Sequence, residues 1–205
     1  ASKKPDEMES SLANQVCDSF FTLAQTELPE EPMLPLVSHL EEQLKPGSNI
    51  LLFEPHADDV AIACGSLAIA LSEMGYRVLQ ICHYSGERSS GFPDGLTPQM
   101  RRRIRCSETI LASHWLGTHP RFLAMQGYNQ KGYRPTMNDR EMMKNLILQT
   151  RPSAVFCPPG TDRHPAHRAA RALIAWSLWA TQWQCPIVTY STPWGQPWQH
   201  NECHV

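Results

Sequence analysis

Residues 50–59 read Ile50-Leu51-Leu52-Phe53-Glu54-Pro55-His56-Ala57-Asp58-Asp59, and the fold follows from how this stretch is parsed. Four apolar residues run without alternation after Pro46-Gly47. A strand with one wet face alternates apolar and polar, whereas a continuous run suits a parallel strand covered on both faces. The run breaks at Pro55 into a polar turn. Residues 60–74 are then rich in Ala and Leu and stop at Gly75, which predicts a helix.

The same alternation recurs downstream. Residues 78–82 (VLQIC) predict a second strand, and residues 84–97, with Gly, Ser, Pro and Asp, a loop. Thr97-Pro98 is a helix start, N-cap followed by Pro at the first helical position. The helix that follows ends at Gly117 and is expected to bury Met100, Ile104, Leu111 and Trp115. Phe122-Leu123-Ala124 is a weak third strand, 138–150 a helix, 154–157 a fourth strand, 167–182 a helix and 187–190 a fifth strand. Strands alternating with helices predict an α/β fold, a doubly wound, Rossmann-like three-layer sandwich with a mostly parallel sheet. In the order 3-2-1-4-5, strands one and four are neighbours at the switch point, and ligands bind above their C-terminal ends.

Upstream, residues 8–27 carry Met8, Leu12, Val16, Phe20 and Leu23 at helical spacing. A joint with Pro29, Pro32 and Pro35 leads into a second helical pattern at Leu36, Leu40 and Leu44. Residues 1–45 therefore read as a helical appendage, 46–192 as the main domain and 193–205 as a Trp- and His-containing tail. Trp176, Trp179 and Trp183, at helical spacing, are expected to pack in the core or at an interface.

Composition narrows the function. A chain of 205 residues, 41% hydrophobic, can bury a core without disulfides. A net charge of -2 disfavours a nucleic-acid partner, whose phosphates call for a basic surface. No apolar run approaches the roughly 18 residues of a membrane span, and ASKKPDEMESS at the start has no apolar signal core. The seven Cys are widely spaced with no C-x-x-C pair, so they read as buried free thiols in a reducing cytoplasm, where the chain is placed. Arg101, Arg102, Arg103 and Arg105 form a basic cluster. It reads first as a solvated helix face, second as a contact for a phosphate or acidic group, and last as a nucleic-acid surface.

The first strand is not followed by G-x-G-x-x-G, so a dinucleotide has no fingerprint here. It is followed by His56 and Asp59, three apart at a helix start, where both point the same way. One imidazole and one carboxylate there can grip a divalent metal, although Asp58 and Asp59 are also good helix caps. After the fourth strand comes Thr161-Asp162-Arg163-His164-Pro165-Ala166-His167, a second pair of His three apart. The strand order brings the two clusters together. Two His and one Asp on a metal, plus a water, form the open arrangement of a zinc hydrolase, and a neighbouring carboxylate is then a candidate base.

These residues resemble those of the PIG-L/LmbE-like deacetylases, zinc enzymes that remove acetyl groups from N-acetylglucosamine conjugates. The family's P-H-P-D-D is matched by Pro55-His56-Ala57-Asp58-Asp59, and its H-P-D-H by His164-Pro165-Ala166-His167. The likeness continues through Gly65, through Ser85-Gly86-Glu87, and along the helix from Arg105 through Glu108 and Ala112 to Leu116-Gly117. It covers about residues 47–190. The resemblance implies zinc, or another divalent metal, on His56, Asp59 and His167, with Asp58 as the base that activates the attacking water. It implies that His164 assists at the oxyanion or leaving amine and that Arg105 contacts the substrate, an amino sugar, with Glu108 orienting that arginine. A homo-oligomer is compatible with it.

Four positions depart from the family pattern: Ala57 for Pro, Ala166 for Asp, Val60 for the acidic residue often following D-D, and Gln126 for the Asp that commonly precedes Gly127. The missing Asp would have oriented a neighbouring His, and Asp162 is the candidate substitute. The departures keep two other readings open. One is an amidase acting on another N-acyl or thiol-sugar conjugate. The other is a non-catalytic metal- and sugar-binding module.

Overall fold

The computed structural model describes residues 44–89, 91–129 and 133–192. The expected N-terminal helices (8–27 and onward from 36) and the tail with Trp194, Trp198 and His200 lie outside these residues, except Leu44. The chain runs through β1 (Asn49–Glu54), α1 (Asp59–Glu73), β2 (Arg77–Cys82), α2 (Pro98–Leu116), β3 (His119–Phe122), a 3-10 turn (Gln126–Asn129), α3 (Met137–Thr150), β4 (Ala154–Cys157), α4 (Pro165–Thr181) and β5 (Ile187–Thr189).

The five strands form one sheet of order β3-β2-β1-β4-β5. Every pairing is parallel. β1 and β4 lie side by side, with Ile50 opposite Ala154 and Leu52 opposite Phe156. Their C-terminal ends therefore open at the same level, and the turns that follow meet. Ile50, Leu51, Leu52 and Phe53 are all fully buried, as a strand covered on both faces requires.

The two faces differ in chemistry. Leu51, Phe53, Val155 and Cys157 form an apolar cluster with Met143 and Ile147 of α3 and with Leu173, Ile174 and Leu178 of α4. On the other face the buried Gln80 accepts hydrogen bonds from Ser113 Oγ of α2 at 2.8 Å and from Thr118 Oγ1 at 2.9 Å. Gln80 Nε2 donates to Glu54 Oε2 at 2.9 Å. This polar chain corrects the expected face of α2. The helix buries Thr109, Ala112 and Ser113. Met100 is 38% exposed and Trp115 62% exposed, and Ile104 and Leu111 are only half-buried. The sequence stripe of large apolar residues lies on the wrong side because the inward face must satisfy Gln80 and must approach α1 closely. Gly117 marks that approach. It closes α2 at φ +67°, and a Cβ there would lie 2.4 Å from Ser72 Oγ. The hydroxyl instead donates to the Gly117 carbonyl at 2.7 Å.

Other boundaries move for local reasons. The third strand lies at His119–Phe122, three residues before the expected one, and only Phe122 is common to both. It is a short, exposed edge strand with no apolar run to announce it. α4 starts at Pro165 rather than 167, because His164 is its N-cap and Pro165 takes the first helical position. Trp176 and Trp183 pack against the core as expected, but Trp179 is 70% exposed. Five cysteines, Cys64, Cys82, Cys106, Cys157 and Cys185, are free, and burial pushes the Cys157 thiol up to about 12, which keeps it protonated.

Candidate active site

The turn after β1 is built around Asp59. Its carboxylate, 3% exposed, accepts the His56 backbone N–H at Oδ2 (2.8 Å). The same oxygen lies 3.4 Å from His56 Nδ1 and 3.3 Å from His167 Nε2. His56 Nδ1 and His167 Nε2 are themselves 3.3 Å apart. Burial alone would raise the Asp59 pKa, but hydrogen bonds from His167 and His56 outweigh it and hold the carboxyl well below the usual range. For His167 burial alone would depress the pKa, yet Asp59 and Asp162 reverse the sign and raise it. Two imidazoles thus share one buried anion.

The three donor atoms form a triangle with edges of 3.3–3.4 Å. Bonds of about 2.0–2.1 Å in tetrahedral geometry place zinc's nitrogen and oxygen ligands about 3.3–3.4 Å apart, so this set fits the ion. The ligand atoms of His56, His164 and His167 also lie within 4.8 Å of one another, and this group could hold a metal. That second triangle is looser than the one with Asp59.

Asp58 sits at the N-cap of α1, yet its side chain makes no capping hydrogen bond. The capping reading of the D-D pair therefore fails for both residues: Asp59 serves the His56 turn, and Asp58 points elsewhere. Asp58 is half-buried, and its Oδ2 lies 3.6 Å from Arg105 Nη1. Arg105 in turn donates to Glu108 Oε2 at 2.8 Å, the i, i+3 pair expected on the helix.

The turn after β4 is built around Asp162, 1% exposed. Its Oδ2 lies 2.9 Å from His167 Nδ1, and its Oδ1 accepts the His164 N–H at 2.7 Å. With Nδ1 turned to Asp162, Nε2 is the ring atom of His167 that faces Asp59 and His56. The substitute for the aspartate missing at Ala166 is thus in place, four residues earlier in the chain. His164 Nδ1 accepts the Ala166 N–H at 3.2 Å, which assigns the ring's proton to Nε2. Burial, followed by the neighbouring His56 and His167, lowers the His164 pKa and keeps the ring neutral.

All six expected residues, His56, Asp58, Asp59, Arg105, His164 and His167, line one cavity of about 570 Å³. Arg88, Ser89, Tyr133, Arg163 and Thr192 line it too, and none was singled out in the sequence. Arg88 and Ser89 stand just beyond the C-terminal end of β2, where the switch-point rule could have flagged them. Tyr133 lies in an irregular segment at φ +53° and gives no sequence signal. Gln126 contributes only its backbone N–H, to Asp139 Oδ1 at 2.7 Å. No helix among the described residues is long and apolar enough to cross a membrane.

The model of the PIG-L family, GlcNAc-PI de-N-acetylase, matches residues 51–177, from β1 into α4. No curated protein sequence matches the chain at a significant level. Among solved structures, the N,N'-diacetylchitobiose deacetylase of Pyrococcus horikoshii is similar at 20% identity and TM-score 0.64, over 82% of this chain and 72% of that one. A deacetylase of the teicoplanin biosynthesis pathway, solved with teicoplanin, is similar at 16% identity and TM-score 0.57, over 72% of this chain and 71% of that one. The 4-carboxy-2-hydroxymuconate hydratase GalB of Pseudomonas putida KT2440 is similar at 19% identity and TM-score 0.58, over 63% of this chain. The chain spans little more than half the length of that hydratase, 55%. At such identities the likeness is one of fold, and the fold carries more than one chemistry.

Proposed function

The chain belongs to the PIG-L (GlcNAc-PI de-N-acetylase) family, and on that premise we propose that it is a zinc-dependent hydrolase that removes the acetyl group from an N-acetylglucosamine-type sugar or conjugate. The observation that carries the reading is the triangle of donor atoms at 3.3–3.4 Å with an uncapped carboxylate beside it.

His56, Asp59 and His167 are the residues that would hold zinc. When bound, the ion supplies Lewis-acid polarisation of the acetyl carbonyl and makes a water more acidic. Asp58 takes the proton from the attacking water, and its freedom from capping supports that role. His164 presents an Nε2–H, so it donates a hydrogen bond to the oxyanion as the tetrahedral centre forms. As the C–N bond breaks, the leaving nitrogen takes the proton that Asp58 accepted from the water, which gives acetate and the free amine. Arg105 contacts the substrate, with Glu108 fixing its direction. Asp162 behind His167 supports the catalytic reading over that of a non-catalytic module.

The test combines metal content with acetate release from a panel of N-acetylglucosamine derivatives. Asp58→Asn is expected to retain zinc and to lose about 10²–10⁴-fold in rate, the range of general acid–base assistance. Normal turnover by that variant would sink the mechanism. Amide hydrolysis without acetate among the products would move the substrate to another N-acyl conjugate.

A further inference from the structure

The arginine cluster of α2 divides: Arg102 and Arg103 are exposed, as a solvated face requires, whereas Arg101 and Arg105 are half-buried. Arg101 and Arg105, four apart and so on one side of the helix, both sit against the ring of Phe92, from the loop between β2 and α2. Their Cζ atoms are 5.5 and 5.4 Å from the ring centroid, within cation–π reach. Both Nε–H groups are buried and have no hydrogen-bond acceptor. That burial is costly beside a hydrocarbon and tolerable beside the electron-rich face of an arene. Arg102 adds an ion pair to Glu87 at 3.7 Å.

The loop encloses Arg105 from a second side. Gly86, at φ +70°, lies so close beneath the arginine stem that a Cβ there would be 2.8 Å from Arg105 Cγ. The side chain is thus held by Gly86 along its methylenes, by Phe92 at its guanidinium and by Glu108 at its tip, where Nη1 faces Asp58. A guanidinium on a flexible stem would otherwise lose much rotamer freedom whenever it engaged a ligand. Phe92 itself does not line the cavity, whereas Arg105 does.

We infer that Phe92 is a positioning residue, whose ring holds the Arg105 guanidinium in the cavity beside Asp58. The inference rests on the proposed role of Arg105 at the substrate. It adds a residue that the motifs do not reach, in the loop rather than at the metal.

The experiment reads the contact and its consequence separately. In the full chain loaded with zinc, the Nε–Hε signals of Arg101 and Arg105 (assigned with Arg101→Lys and Arg105→Lys) are expected upfield, under the ring current. They move downfield in Phe92→Ala. Signals that stay put overturn the inference. In acetate release, Phe92→Ala and Phe92→Leu are each expected to lose roughly tenfold in kcat/KM, the order of one cation–π contact. Phe92→Tyr stays within about twofold of the parent, because it keeps the ring face. Rescue by Leu would mean that apolar bulk, not the ring, matters, and would overturn the inference. So would a further tenfold loss when Phe92→Ala is added to Arg105→Ala, since a residue acting through Arg105 has nothing left to position. A parent protein that binds zinc and releases no acetate removes the deacetylase reading instead, and the Nε–Hε shifts then decide the inference alone.

Discussion

The two turns that form the site solve the same problem differently. The turn after β1 is self-contained: Asp59 is both a candidate ligand and the acceptor of its own turn's His56 N–H. The turn after β4 separates these tasks. His167 faces the proposed metal position, and Asp162, outside the His164–His167 motif, accepts from the His164 N–H and pairs with the His167 ring nitrogen Nδ1. In the first turn support and candidate ligand are one residue. In the second they are separate, with Asp162 supporting His167 from outside the motif and Ala166 supplying no polar group.

The sharpest test of this contrast is the difference between the two carboxylates. Asp59→Ala removes a donor atom and the acceptor of the turn together. Zinc affinity is expected to fall by more than about a hundredfold, beyond the range of an outer partner, and acetate release with it. Asp162→Ala leaves all three donors present and is expected to cost about 10–100-fold in zinc affinity or activity. Asp162→Asn should cost less, because its amide oxygen still accepts from His167 Nδ1. Metal titration by calorimetry orders the three. Equal losses for Asp59→Ala and Asp162→Asn would erase the distinction between the turns.

Protons test the same pair. Asp59 and Asp162 raise the His167 pKa, so protons compete with metal there at a higher pH than at an ordinary histidine. In Asp162→Ala one of the two anions is gone, so in the zinc-free protein the His167 pKa should move down. Titration of the His167 ring followed by NMR checks it, and a pKa that stays put or rises would show that Asp162 does not act on His167.

The same contrast explains what the sequence made legible. The strand order, the meeting of the two turns and the six polar residues around one cavity were readable because they rest on continuous apolar runs and on fixed His and Asp spacings. The inward face of α2 was not readable. Its buried side chains, Thr109, Ala112 and Ser113, are small or hydroxylic, with Ser113 answering Gln80, while Met100 and Trp115 are exposed and Ile104 and Leu111 only half-buried. Nor was Phe92, which acts on residues nine and thirteen positions later through a loop with no period. The start of α4 was legible in principle: His164-Pro165 carries the same cap-then-proline signal that located α2 at Thr97-Pro98.

A final difference lies beneath the first turn. Glu54, the last residue of β1, is fully buried, and burial pushes its pKa up to about 8, against the hydrogen bond from Gln80. Its second oxygen has no partner. The two carboxylates behind the site thus differ in kind: Asp162 is richly hydrogen-bonded, whereas Glu54 is held as the neutral acid at neutral pH. A folded pKa raised above the unfolded 4.5 means that the native state binds the extra proton between these values. The stability it contributes is complete below pH 4.5 and is lost as pH rises through about 8. Glu54→Gln mimics the neutral acid without titrating: its carbonyl can accept from Gln80 Nε2, and its amide replaces the unpartnered oxygen. In the zinc-free protein the Gln variant should match the parent near pH 4.5 and exceed it increasingly toward pH 9, by on the order of a few kcal/mol. Urea midpoints at the two ends of that range measure the gap. Parallel stability curves would mean that Glu54 is ionised in the fold, and that the buried chain through Gln80, Ser113 and Thr118 carries a charge rather than a proton.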